Sequence, residues 1–355
     1  MTLNIEDLLD MDELNRMLHE GRIRIGHHES LPLRILNYTS KAQYADEWTN
    51  AERVCRGLIV TQWGEVIARG MPKFFNYGSP HGPEFLPTDV GLLTKKQDGS
   101  LGIGWAYAGE IGIATRGSFH SDQAQKATSM MTDIQRGQIL RRMDEGRSML
   151  FEIVYPDNRI VVEYGDREEN IPIAVVDNAT GQTGLYELNT VAAISTLLTK
   201  PIPDTEEGYV VSVPSKGLFK LKGETYLNLH KLMFGLTEKA VWEMLQSHNV
   251  AEREQYVNQF PPITQQWVKR KMFQFGTQHH VRSQIVIGIA VEAAKQNGGL
   301  AFERKDVALW LKDNYPEYLG EVFAFIDGGD EKLTPLVWKK IKPAHKPYKA
   351  QEETE

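Results

Sequence analysis

Hydrophobic and polar positions follow two different periods along this chain. From Asn4 to Glu20 the apolar residues Ile5, Leu8, Leu9, Leu14 and Met17 recur at helical spacing behind an acidic opening suited to a helix N-terminus, which predicts one helix. Residues 22–226 run mostly as short strand-like stretches cut by Gly and Pro. Leu101 to Tyr107 and Ile111 to Thr115 read as strands joined by the turn Ala108-Gly109-Glu110, and Met149 to Tyr155 as another. An amphipathic stretch from Ser121 to Glu145 interrupts them and is expected to end at Gly146. After Tyr226 the spacing turns helical: Leu236, Ala240, Val241, Met244 and Leu245 come first, then Ile285 to Lys295 and Val307 to Lys312, with Pro261-Pro262 and Asn297-Gly298-Gly299 as breakers. The pattern predicts an α+β fold: antiparallel sheets with flanking helices over 1–226, a mainly α-helical domain over 227–342, and a mobile tail over 343–355.

Composition fits that division. At 355 residues and 41% hydrophobic content the chain can bury two cores. A single cysteine, Cys55, excludes an internal disulfide and any multi-cysteine zinc site, and reads as a small buried hydrophobe. No apolar run reaches the roughly 18 residues of a membrane helix, and the acidic start lacks the regions of a signal peptide, so a soluble cytoplasmic protein with no membrane partner is expected. The formal net charge of −7 argues against a surface coated for nonspecific nucleic-acid binding, yet it leaves room for a local basic groove. Neither a G-x-x-x-x-G-K-[ST] loop nor an ordered G-x-G-x-x-G is present, which disfavours the P-loop and Rossmann classes. His27-His28 and His279-His280 lack accompanying metal ligands at useful spacing.

The chemistry-bearing stretch is Lys96-Gln97-Asp98-Gly99-Ser100. A lysine two residues before an Asp-Gly turn can attack a nucleotide phosphate, but only once desolvation or neighbouring cations lower its pKa. Phe219-Lys220-Leu221-Lys222 supplies candidate cations, because a strand sends both lysines to one face and Phe219 and Leu221 to the other. Gly99 would let the backbone approach a ligand closely.

Seven segments follow one another in order: Arg53-Val54-Cys55-Arg56-Gly57, Lys73-Phe74-Phe75-Asn76, Lys96 to Ser100, Thr115-Arg116-Gly117-Ser118, Phe151-Glu152, Glu207-Gly208-Tyr209-Val210 and Phe219 to Lys222. Together, over about residues 30–230, they resemble the ATP-dependent RNA ligases of the phage RNA ligase 1 type, within the covalent nucleotidyltransferase superfamily. The resemblance implies that Lys96 attacks the α-phosphate of ATP, holds AMP as a phosphoramidate, and passes it to an RNA 5′-phosphate before a 3′-hydroxyl displaces it. It also implies a nucleotide held between two sheets. Lys220 and Lys222 would contact the α-phosphate; Glu152 and Glu207 would serve magnesium, with manganese an alternative, and Glu152 also the ribose. Arg56 and Lys73 would meet the triphosphate or RNA phosphate, and Phe75 and Val210 the adenine. Arg116 stands where relatives often place lysine, keeping the charge but presenting a planar fork.

Residue types alone leave alternatives. Phe75 and Val210 suit plain core packing, Arg159 a turn cap or a phosphate contact. Trp267-Val268-Lys269-Arg270-Lys271-Met272-Phe273 suits an RNA-contacting helix or a solvated basic face. The lysines 339, 340, 342, 346 and 349 could touch RNA phosphates or nothing. Three functions follow from the resemblance: a ligase joining 5′-phosphate and 3′-hydroxyl RNA ends in repair of loops such as those of tRNA, a DNA ligase or capping-type enzyme, or an RNA-binding module without turnover. The joint presence of Lys96, Glu152, Glu207, Lys220 and Lys222 argues against the last, and no protein partner is evident.

Overall fold

The computed structural model describes residues 2–344, except 46, 159, 160, 163, 188, 189, 215, 248, 300 and 301. Arg159 and the tail lysines 346 and 349 lie outside the described residues. One compact unit runs up to Lys231 and a second begins at Leu232, a division that falls inside the helix Glu224–Phe234 and not at residue 226.

In the first unit, β1 (Ile23–His27), β2 (Leu33–Tyr38), β3 (Arg56–Thr61) and β4 (Val66–Arg69) form an antiparallel sheet in chain order. One face of this sheet carries Ile23, Leu36, Leu58 and Val60 against the N-terminal helices, and the other carries Leu33, Ile35, Ile59 and Ala68 into the central core. Two five-stranded sheets follow. The first has the order β12 (Thr190–Ala193), β6 (Val90–Lys96), β13 (Gly208–Val213), β14 (Gly217–Lys222), β5 (Phe75–Asn76), antiparallel except for the parallel β14–β5 edge. The second has the order β11 (Thr183–Leu185), β10 (Glu169–Asp177), β9 (Arg147–Val154), β7 (Ser100–Tyr107), β8 (Glu110–Ala114). Its Ile103, Trp105, Leu150 and Ala174 meet the four-stranded sheet in the central core, while Ile113, Met149, Phe151 and Ile153 face helices Asp122–Ser129 and Asp133–Asp144 through Ala127, Met131 and Ile139. Polar groups tie the two layers as well: Arg69 donates through Nη1 to the Asn178 carbonyl at 2.9 Å and through its amide to Ser148 Oγ at 2.9 Å.

The expected β7–β8 hairpin is present, closed by Ala108-Gly109 with φ of 50° and 86°, the left-handed pair that a tight hairpin favours. The single expected N-terminal helix is two, Ile5–Leu8 and Met11–His19, because Asp10 turns its carboxylate onto the amides of Asp12 and Glu13 at 2.8 and 3.1 Å and starts a new helix. The stretch Ser121 to Glu145 is split in the same way by the Thr132/Gln135 capping box. Cys55 follows helix Asn50–Val54 and is fully buried, and burial pushes its thiol up to about 12.

The second unit is helical: Glu238–Ser247, Val250–Asn258, Pro262–Gln296, Arg304–Asn314 and Leu319–Lys340, the last kinked at Gly328-Gly329. Two apolar clusters stabilise it, one around Leu236, Val241, Val268 and Phe275 and one around Val286, Ala293, Val307, Leu311 and Val322. Within the basic stretch, Val268 is core, Lys271 pairs with Glu238 at 2.6 Å, and Phe273 is 77% exposed. His28 packs against Trp105, Phe119 and His120, and His279 stacks on Trp338 at 4.5 Å. Among the described residues, no helix is long and apolar enough to cross a membrane.

Candidate active site

The site lies where the two five-stranded sheets are stitched together. Lys96 ends β6 in one sheet, Ser100 begins β7 in the other, and Gln97-Asp98-Gly99 crosses between them. The crossing is held from inside. The buried Asp98 carboxylate accepts the amides of Val161 and Val162 through Oδ2 at 2.8 and 2.7 Å and the Tyr226 hydroxyl through Oδ1 at 2.8 Å. Tyr164 Oη accepts the Asp98 amide at 2.8 Å and donates to Gln97 Oε1 at 3.3 Å. Gly99 donates its amide to Glu152 Oε1 at 2.9 Å, and a Cβ there would lie 2.4 Å from the Ile153 carbonyl oxygen. The missing Cβ therefore lets it pack closely on β9.

In the central strand β13, Gly208 stands opposite Lys96 on one side and Lys222 on the other. With φ of +144° and no room for a Cβ against the Leu221 carbonyl, only glycine fits there. Glu207, just before it and 2% exposed, bridges both lysines: Oε2 to Lys96 Nζ at 2.6 Å and Oε1 to Lys222 Nζ at 2.9 Å. Glu152 projects from β9, the central strand of the other sheet. Lys220 and Lys222 share a face of β14, while Phe219 is core and Leu221 packs beside it, as strand alternation requires.

Electrostatics sort these groups. Burial opposes charge on Lys96, but the Glu207 and Glu152 carboxylates outweigh it and hold the ammonium above its usual range. The expectation that cations depress this lysine is not met, because its partners in this structure are anions. Lys220 is the depressed one, held well below the lysine range by burial and then by Arg56 and Lys96. Burial also raises Glu152 to about 7, with Glu207 adding to it against the pull of Lys96. Lys96 and Lys222 keep Glu207 below the carboxylate range despite burial. Two carboxylates close enough for one to raise the other's proton affinity are an oxygen donor set that suits a hard cation. Among the described residues no third His, Cys, Asp or Glu joins them, so an ion there would keep waters as its remaining ligands.

A cavity of about 540 Å³ opens over this seam, lined by Lys96, Gly99, Arg56, Arg116, Glu152, Val210 and Lys220. Arg56 donates to the Met71 carbonyl at 3.2 Å, and Lys220 lies 4.5 Å from the Phe74 ring centroid. Lys73 and Phe75 do not line this cavity, because Phe74, between them, takes the inward position. Phe75 instead meets Trp48, His81 and Arg53, and Lys73 donates to Tyr38 Oη at 3.1 Å. The sequence reading missed Tyr38, whose hydroxyl also accepts from Arg116 Nη1 at 2.8 Å, and Phe74. It also missed the Asp98 cradle. A large aromatic adjoining Lys73 was a readable signal for Phe74. Tyr38 and Tyr226 gave none.

Residues 54–207 match the protein family described as RNA ligase. A protein of Autographa californica nuclear polyhedrosis virus, named as a bifunctional polynucleotide kinase/RNA ligase, is 24% identical over 265 residues, covering 64% of this chain and 38% of its own. A protein of Thermovibrio ammonificans named as an RNA ligase is 28% identical over 144 residues, 39% of this chain and 38% of its own. This chain thus spans well under half the length of either relative. A solved archaeal ATP-dependent RNA ligase superposes with a TM-score of 0.44 at 13% identity, covering 76% of this chain and 77% of that one. The matched segment contains Lys96, Glu152 and Glu207, and in it the chain is similar to RNA ligases.

Proposed function

We propose that the chain is an ATP-dependent RNA ligase that joins 5′-phosphate and 3′-hydroxyl ends through lysyl-AMP and adenylated RNA, in repair of cleaved loops such as those of tRNA. The observation that carries this reading is Lys96, paired with Glu207 and under the influence of Glu152, in the lining of a cavity that also bears Arg56, Arg116 and Lys220.

Lys96 Nζ gives a proton to solvent water, forms a bond to the α-phosphorus of ATP as the bond to the bridging oxygen breaks, and pyrophosphate leaves. In-line displacement asks the protein chiefly for position and charge, and the residues present supply both. Glu207 fixes Nζ at the strand end. Lys220 and Lys222 neutralise charge that builds on the α-phosphate, with Arg56 and Arg116 serving the phosphates beyond; Lys73, which does not line this cavity, is left to the RNA phosphate. Phe74 and Val210 offer the purine an apolar wall, a place the sequence had given to Phe75 and Val210. Glu152 and Glu207 would hold a magnesium or manganese ion, which when bound would offset phosphate charge.

Intact mass after incubation with ATP and magnesium tests this. The wild type is expected to gain one AMP and Lys96→Ala none, with both equally folded by circular dichroism. Adenylation of Lys96→Ala would remove the assignment. Joining of 5′-phosphorylated RNA but not DNA ends then separates RNA ligation from the other acceptors.

A further inference from the structure

A second cavity of about 530 Å³ in the same unit shares Phe74 as a wall with the first. Four of its lining side chains are Arg53, Lys73, His81 and Lys216, and among the described lining residues there is neither aspartate nor glutamate. The nucleotide cavity is different, since Glu152, Asp122 and Glu187 line it beside its cations. Lys216 pairs with Asp89, which is outside the lining, at 2.6 Å and keeps about a third of its side chain exposed. Arg53 donates to the His81 carbonyl at 3.1 Å and lies 5.4 Å from the Phe75 ring centroid.

Cations in a lining that holds no carboxylate, next to an aromatic ring, suit an anion with an apolar body, and the volume is that of a nucleotide-sized ligand. Since both cavities border Phe74, an extended polyanion could occupy the second while its end reaches the first.

We propose that this second cavity is an RNA subsite that takes internucleotide phosphates next to the end being joined, with Arg53 and Lys216 as phosphate contacts and Phe75 beside the sugar. The proposal rests on the ligase reading and adds to it where the strand lies. Contacts of this kind set register on the strand and are blind to its sequence.

Two measurements on the full-length chain test it. First, Arg53→Gln/Lys216→Gln is combined with Lys96→Ala, which stops turnover, and binding of a short 5′-phosphorylated RNA is followed by fluorescence anisotropy across a salt series. Affinity is expected to fall about tenfold, and the salt slope to flatten by about one per cation removed, for any base sequence. Second, wild-type protein is given RNAs carrying one neutral methylphosphonate at successive linkages. Joining is expected to slow at one or two positions beside the end and nowhere else. This arm needs no altered protein, so it decides the matter if the triple variant does not fold. Unchanged affinity and slope in a folded variant, or equal tolerance of every neutral linkage, would overturn the subsite. If wild type takes up AMP and joins ends while both arms are flat, the subsite alone fails. If wild type takes up no AMP yet the variant loses RNA affinity, the ligase reading fails and the subsite stands.

Discussion

Tyr38 gathers Arg116, Arg56 and Lys73 around one phenol oxygen, and against the effect of burial these cations pull its pKa from 10.0 down to about 8. A group with a depressed folded pKa adds stability above its unfolded value and loses it as pH falls through the folded one. Wild type is therefore expected to gain on the order of 2 kcal/mol over Tyr38→Phe as pH rises from about 8 to 10. Tyrosinate absorbance and urea melts across that window measure it, and a difference that stays flat with pH would refute it. Lys96, Lys220 and Lys222 were legible in the sequence because short motifs at strand ends and on strand faces declare themselves, and Glu207 only through the family resemblance. Tyr38 was not, since its meaning lies in three cations brought from three other segments. The charge state of Lys96 was hidden for a related reason: the sequence displays the cations of β14, whereas Glu207 comes between Lys96 and Lys222 only once the strands are in register.

Among the elements, the crossing from β6 to β7 decides whether the two sheets can present one site. Gly99→Ala would drive a methyl group to 2.4 Å from the Ile153 carbonyl, and a backbone atom in a central strand has little room to yield. The variant is expected to lose about 2 kcal/mol of stability in urea denaturation, and its rate of AMP uptake is expected to fall more than tenfold. Normal uptake would mean that the crossing tolerates displacement. Helix and strand character was legible nearly throughout from apolar spacing, and the hairpin from its turn. The breaks at Asp10 and Thr132 were missed because apolar period carries across a cap, although both capping side chains stand in the sequence. Weighing Thr132 and Gln135 as a pair would have found the second.

For the molecule as a whole, the separate apolar clusters of the two units lead to a calorimetric expectation. Each unit encloses cores of its own, so heating should give two transitions, with a calorimetric enthalpy above the van't Hoff value for a single one. A nonhydrolysable ATP analogue should raise only the transition of the unit that holds Lys96, since binding stabilises the folded form it binds. A single transition shifted as a block would contradict this. At this scale the sequence said least. The two-unit layout showed as a change of period near residue 226, but the second cavity draws on four separated stretches and no local pattern announces it. Other distant stretches, the N-terminal helices and the four-stranded sheet, seal Cys55, whose thiol has neither solvent nor a thiolate at neutral pH. A maleimide should therefore leave the native protein unmarked and add one label after denaturation. For anyone wishing to watch this molecule at work, the chain is then a blank page: a cysteine placed at a well-exposed position such as Ile134 would be the sole point where a fluorophore attaches.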